Sequence, residues 1–101
     1  MMNEDQRTGD IDMKYYIVGI IDSYLDMEFR TCVLVKATDK TIDLKVGEIC
    51  SKWYSEDQPV LECEDAEGLY EQANGCVTYT DGVKEISEAT YNELLTFLGA
   101  Y

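Results

Sequence analysis

The chain has no histidine, a single proline, and no lysine or arginine anywhere between Trp53 and Val83. Each absence removes a class of chemistry. Without histidine, Ser-His-Asp and Cys-His nucleophile systems cannot be assembled, and neither can any zinc site with an imidazole ligand. Four cysteines are present, Cys32, Cys50, Cys63 and Cys76, but the gaps between them are 18, 13 and 13 residues. Zinc sites built on cysteine need close pairs, and these are not close. Gly47, Gly68, Gly75 and Gly82 stand alone and form no phosphate-binding loop. No apolar run approaches the ~20 residues of a transmembrane helix, and the polar, acidic first residues do not read as a signal peptide. A cytosolic (cytoplasmic) protein with reduced, mostly buried thiols is therefore the expectation, with no metal and no cofactor.

What is present is negative charge. Twenty-one acids against eight bases give a net charge of −13 over 101 residues, while 46% of the residues are apolar. That apolar share is too high for a disordered chain, and the length has room for one domain. The charge repels nucleic acid and anionic membranes and attracts basic surfaces, less so as salt rises. No basic patch exists to hold a phosphate backbone directly.

The elements are read from periodicity. Residues 1–12 are polar and read as a flexible tail ahead of a single α+β domain over 13–101. Tyr15 to Ile21 is apolar on both alternating faces and predicts a strand covered on both sides. Gly19 inside it suggests a bulge or a close contact. Asp22 to Glu28 reads as a polar connection to an antiparallel neighbour, Phe29 to Ala37, with Phe29, Thr31, Val33, Val35 and Ala37 inward. Thr41 to Val46 alternates and predicts a half-buried strand, with a corner at Gly47 leading into a further strand over 49–54. Val60 to Cys63 reads as a short strand. Ala73-Asn74-Gly75 reads as a turn, and Asp81-Gly82 as a two-residue hairpin between Cys76–Thr80 and Val83–Ile86. Ser87 suits an N-cap, Tyr91, Leu94, Leu95 and Leu98 form one stripe, and Gly99 suits a helix end. The expected fold is thus α+β: a mostly antiparallel sheet or partial barrel of six to seven short strands, with one C-terminal helix.

The candidate site is the acidic stretch itself: Glu56, Asp57, Glu62, Glu64, Asp65, Glu67 and Glu71, flanked by Trp53, Tyr54 and Tyr70. Tyrosine and tryptophan beside charge is a composition common at protein interfaces. On a strand, Glu62 and Glu64 would share a face ~6.6–6.8 Å apart, close to twice the ~3.4 Å axial spacing of phosphates along one strand of a duplex. Carboxylates so placed can occupy a basic groove meant for a nucleic-acid backbone. Small size, high negative charge and missing catalytic groups are shared by phage- and mobile-element-encoded inhibitors, including anti-CRISPR proteins that imitate nucleic acid; the likeness is one of physical character, without a shared motif. The expected function is a non-catalytic protein that binds and inhibits a basic protein partner through this face. The alternatives are an accessory module that forms a homo-oligomer through an open sheet edge or the last helix, and a small ligand-binding domain.

Overall fold

The computed structural model describes residues 13–72 and 74–99. The expected tail over residues 1–12 lies outside them. Among the described residues the order is β1 (Lys14–Tyr24), β2 (Met27–Ala37), α1 (Ile42–Ser51), β3 (Tyr70–Glu71), β4 (Val77–Ile86) and α2 (Glu88–Leu98). The strands form one antiparallel sheet in the order β2-β1-β4-β3. The fold is α+β as expected, but the described residues form four strands and two helices in place of six to seven strands and one helix.

β1 is interior to the sheet and covered on both faces, which is why both of its alternating sets are apolar. On one face Tyr16, Val18 and Ile20 join Val33, Val35 and Ala37 of β2 and Ile42, Val46, Ile49 and Cys50 of α1 in a single core. On the other face α2 packs across β1 and β2, where the rings of Tyr15 and Tyr91 meet with centroids 4.9 Å apart. The sheet therefore carries one helix on each side. The inward set expected on β2 is buried from Val33 onward, whereas Phe29 and Thr31 are exposed.

The polar connection expected over 22–28 is instead strand. β1 and β2 stay in unbroken register from Lys14–Ala37 to Tyr24–Met27, and only Leu25 and Asp26 turn the chain. Leu25 takes the positive φ (56°) that a two-residue hairpin asks of its first turn residue. The polar residues were misleading because the arms of the hairpin extend past the cover of the helices, where a strand needs no apolar side chains.

The two strands expected over 41–46 and 49–54 are one helix and its exit. Ile42, Val46, Ile49 and Cys50 fall at i, i+4, i+7 and i+8, and all four are buried. Leu44, which completed the alternating pattern, is 75% exposed. Gly47 is not a corner. It lies within α1, where an added Cβ would meet the Tyr70 hydroxyl at 2.8 Å, so its missing side chain lets Tyr70 lie against the helix.

The hairpin expected at Asp81-Gly82 is a bulge inside one continuous strand. Gly19 pairs with Gly82 and Ile20 with Thr80, so Asp81 is the extra residue. The Thr80 hydroxyl donates to the Gly19 carbonyl at 2.7 Å and accepts from the Gly82 N–H at 3.2 Å, which closes the gap left in the ladder. The Asp81 carboxylate lies over Gly19, in the space where a Cβ would stand, and reaches Arg30 of β2 at 3.1 Å. Gly19 is thus the site of both a bulge and a close approach.

The last helix is as expected. Ser87 Oγ accepts from the Thr90 N–H at 3.1 Å, and Gly99 ends the helix at φ 74° with its N–H on the Leu95 carbonyl. The turn at Asn74-Gly75 also holds, with Gly75 at φ 91° and Asn74 Oδ1 accepting from the Cys76 N–H.

The helical assignment of α1 has a sharp consequence for stability. Ile49→Ala should cost roughly 2–5 kcal/mol and Leu44→Ala should stay within about 0.5 kcal/mol of the parent, both read from urea midpoints. A strand over 41–46 would require Leu44 to be the costly position.

Candidate functional site

The acidic stretch begins where α1 ends, and its first residues are tied down. Asp22, on β1, accepts from Trp53 Nε1 at 2.8 Å, from the Tyr54 hydroxyl at 2.5 Å and from Thr78 Oγ1 at 3.3 Å. Burial, with the Asp22 carboxylate next in weight, raises the Tyr54 phenol well above its ordinary value, so Tyr54 remains a donor at any physiological pH. Trp53 and Tyr70 pack against the core. The aromatic members of the expected site thus hold the segment to the sheet. Tyr70 is raised as well, first by burial and then by the nearby Glu62 and Cys50.

The chain then runs to Tyr70 with little regular structure. Val60 to Cys63 is not a strand; it contributes one isolated bridge, Glu62 to Tyr70. Val60 donates to the Ser51 carbonyl, and the Cys63 N–H and Leu69 N–H bond to Leu69 and Ala66 carbonyls, closing a compact loop. Glu62 braces that loop, with Oε2 accepting from the Gly68 N–H at 2.5 Å. Glu64 and Asp65 stand in the turn that follows. The strand spacing expected of Glu62 and Glu64 is therefore not realised, because the loop's hydrogen bonds turn the backbone at Cys63.

The structure divides the acids among different places. Glu62 and Glu67 line an open groove of about 900 Å³ between α1, this loop and β4, together with Asp43 and Glu48 of α1. Its floor is Val46, Gly47, Cys50, Tyr70, Thr80 and Val83, and Leu44 and Leu61 stand beside it, the latter 89% exposed. Among the described residues, no lysine or arginine lines it. Glu56 lines a separate hollow of about 250 Å³ on the other flank of α1, where Lys36, Lys45 and Lys52 are also found. Asp57, Glu64, Asp65 and Glu71 are exposed and line neither. Asp43 and Leu44 were not among the expected site residues. The signal that would have found them is the helical period of α1, which puts Asp43 and Gly47 on one face at i and i+4.

Among the described residues, no three of Cys, Asp and Glu gather into a group that holds a metal ion. The four cysteines are free thiols. Cys50 lies at the floor of the groove, and burial followed by the charge of Asp22 pushes its thiol up to about 11. It is a protonated, weakly nucleophilic thiol at neutral pH. Among the described residues, no helix is long and apolar enough to cross a membrane. No family model, curated protein or solved structure matches the chain.

Two outcomes follow from the site. Asp22→Ala should lower stability by roughly 1.5–3 kcal/mol, since it removes a charged acceptor shared by Tyr54, half-buried Trp53 and buried Thr78, and should red-shift Trp53 emission; Asp22→Asn, which keeps an acceptor, should lose less. Cys50 should add a pH dependence. Its folded pKa lies above the ordinary 9.0, so its contribution to stability is intact below pH 9 and is lost as the pH rises through about 11. Thermal melts should therefore fall over that alkaline window, and less steeply in Cys50→Ala.

Proposed function

We propose that this chain is a non-catalytic binding protein that engages a basic protein surface through the groove between α1 and the acidic loop, and inhibits its partner by occupying that surface. The observation that carries the reading is the groove's lining: Asp43, Glu48, Glu62 and Glu67, with no base among the described residues that line it, beside exposed Leu44 and Leu61. Carboxylates over an apolar floor suit a cationic side chain with a long aliphatic stem, and arginine and lysine are of that kind. A cleft lined by charge of one sign focuses its field and raises the local concentration of an oppositely charged partner. The net charge of −13 adds long-range attraction. A groove that normally binds a nucleic-acid backbone presents such a basic surface, and it is the target class the charge fits best. Glu56 and Glu71 contribute to the general field but stand away from the groove.

The reading is tested by titration with an arginine-rich peptide. Affinity should fall about tenfold or more between about 50 and about 300 mM salt. Combined Asp43→Asn, Glu62→Gln and Glu67→Gln should weaken binding by about tenfold; Glu62→Gln retains an acceptor for the Gly68 N–H, so the loop is preserved. Asp57→Asn, Glu64→Gln and Asp65→Asn remove the same number of charges outside the groove and should weaken it far less. Equal losses from the two sets would leave only nonspecific charge attraction and refute the groove.

A further inference from the structure

The outer edge of β2 is open. β1 pairs along one side of it, and among the described residues no strand lies along the other. Edge strands are ordinarily protected by being short, by charged side chains, by proline or by a bulge, because an open ladder recruits another strand; the charges of β2 are Glu28, Arg30 and Lys36. β2 runs 11 residues without proline and in unbroken register. It is also where the negative charge relents: Arg30 and Lys36 outnumber Glu28 in a chain of net charge −13.

We infer that β2 pairs antiparallel with β2 of a second copy of this chain, about a two-fold axis at Cys32, joining the two sheets into one. The sequence of the strand selects this register. With the axis at Cys32, Met27 lies opposite Ala37 and the whole strand is used. Glu28 then falls opposite Lys36, twice by symmetry, and Arg30 falls opposite Leu34. Moving the axis to Val33 sets Arg30 against Lys36, and moving it to Arg30 sets two guanidinium groups against each other; both are repulsive cross-strand pairs. The backbone agrees. A two-residue turn closes on a hydrogen-bonded pair, here Tyr24 and Met27, and bonded and non-bonded pairs alternate from it. The N–H and C=O groups of the even-numbered residues of β2 therefore point outward, and the register at Cys32 places even residues opposite even ones.

Shape supports the same register independently. Phe29 is 56% exposed and at this register lies beside Val35 of the second copy, on the α1 face. Val35 and Ile49 wall the hollow of about 250 Å³ between β2 and α1, and no β1 residue lines it, so it opens along the outer edge. Phe29 of each copy enters the hollow of the other, among the aliphatic stems of Lys45 and Lys52. The acidic groove lies on the opposite flank of α1, toward β4, and stays open in the pair.

Sedimentation of the full chain at high micromolar concentration tests this. The expected species has twice the monomer mass of 11.5 kDa, and it persists or strengthens as salt rises, because salt screens the repulsion between two acidic bodies. Binding of the arginine-rich peptide responds to salt in the opposite sense. Lys36→Glu and Glu28→Lys should each weaken the dimer by about tenfold or more, and the double exchange should restore it; Phe29→Ser should weaken it with an unchanged circular dichroism spectrum. A short bismaleimide should join wild-type chains through Cys32 and fail on Cys32→Ser, which still dimerises. A monomer at every concentration, as would follow if residues 1–12 of the same chain cap β2, overturns the proposal. So does a dimer that is indifferent to Lys36→Glu or that the double exchange fails to rescue.

Discussion

Where the chain leaves α1 it is caught by one carboxylate. Asp22 holds Trp53, Tyr54 and Thr78 at once, joining the exit of the helix, the start of the acidic loop, β1 and β4. Charge-assisted hydrogen bonds of this kind are about twice as strong as neutral ones. Here they fix the point from which the acidic segment departs. The loop must then return to Tyr70, whose hydroxyl lies against α1 at Gly47, where an added Cβ would crowd it. Both ends of the segment are thereby set against the same helix, and the groove between helix and loop is the space left between those two anchors.

The sheet makes that anchoring rigid. β1 is flanked by β2 and β4, and Asp22 pairs with Phe29 on one side and Thr78 on the other, so its backbone is held within the sheet. The bulge at Asp81 adjusts β4 so that its outer half pairs on with β1 to Ile86 and delivers Ser87 as the cap of α2. Arg30 reaches Asp81 across Gly19, so one glycine serves both the bulge and a cross-sheet ion pair. An exposed ion pair adds little stability by itself; its effect here is to orient the Asp81 carboxylate over β1.

Charge is distributed as unevenly in space as in sequence. Among the described residues the charged groups that line the groove beside α1 are all carboxylates, the hollow on the other flank mixes lysines with Glu48 and Glu56, and β2 is slightly basic. This uneven distribution is what supports the two proposals, a basic partner on the acidic flank and a second copy of the chain along β2, where Glu28 is balanced by Arg30 and Lys36. The two surfaces are separated by the width of one helix, so occupation of one leaves the other accessible.

The sequence by itself determined the elements whose signals are local. α2 was legible because its cap, its apolar stripe and its terminal glycine all agree. β1 was legible because β-branched and aromatic residues fill both faces, and the turn at Asn74-Gly75 because only a few residue types accept positive φ. The acidity and the exclusion of histidine chemistry needed no fold at all. Tertiary structure decided the rest, wherever two local readings were equally satisfied. Ile42, Leu44 and Val46 fit a period of two as well as Ile42, Val46, Ile49 and Cys50 fit a helix, and burial against β1 and β2 chose between them. Asp81-Gly82 suits a hairpin or a bulge, and only pairing with β1 across both halves made it a bulge. The acids from Glu56 to Glu71 look like one patch along the chain, but hydrogen bonds to Asp22, Gly68 and Leu69 fold that run around α1. A contiguous charge in sequence becomes separate environments in space, since long-range contacts set where a loop travels and residue order does not.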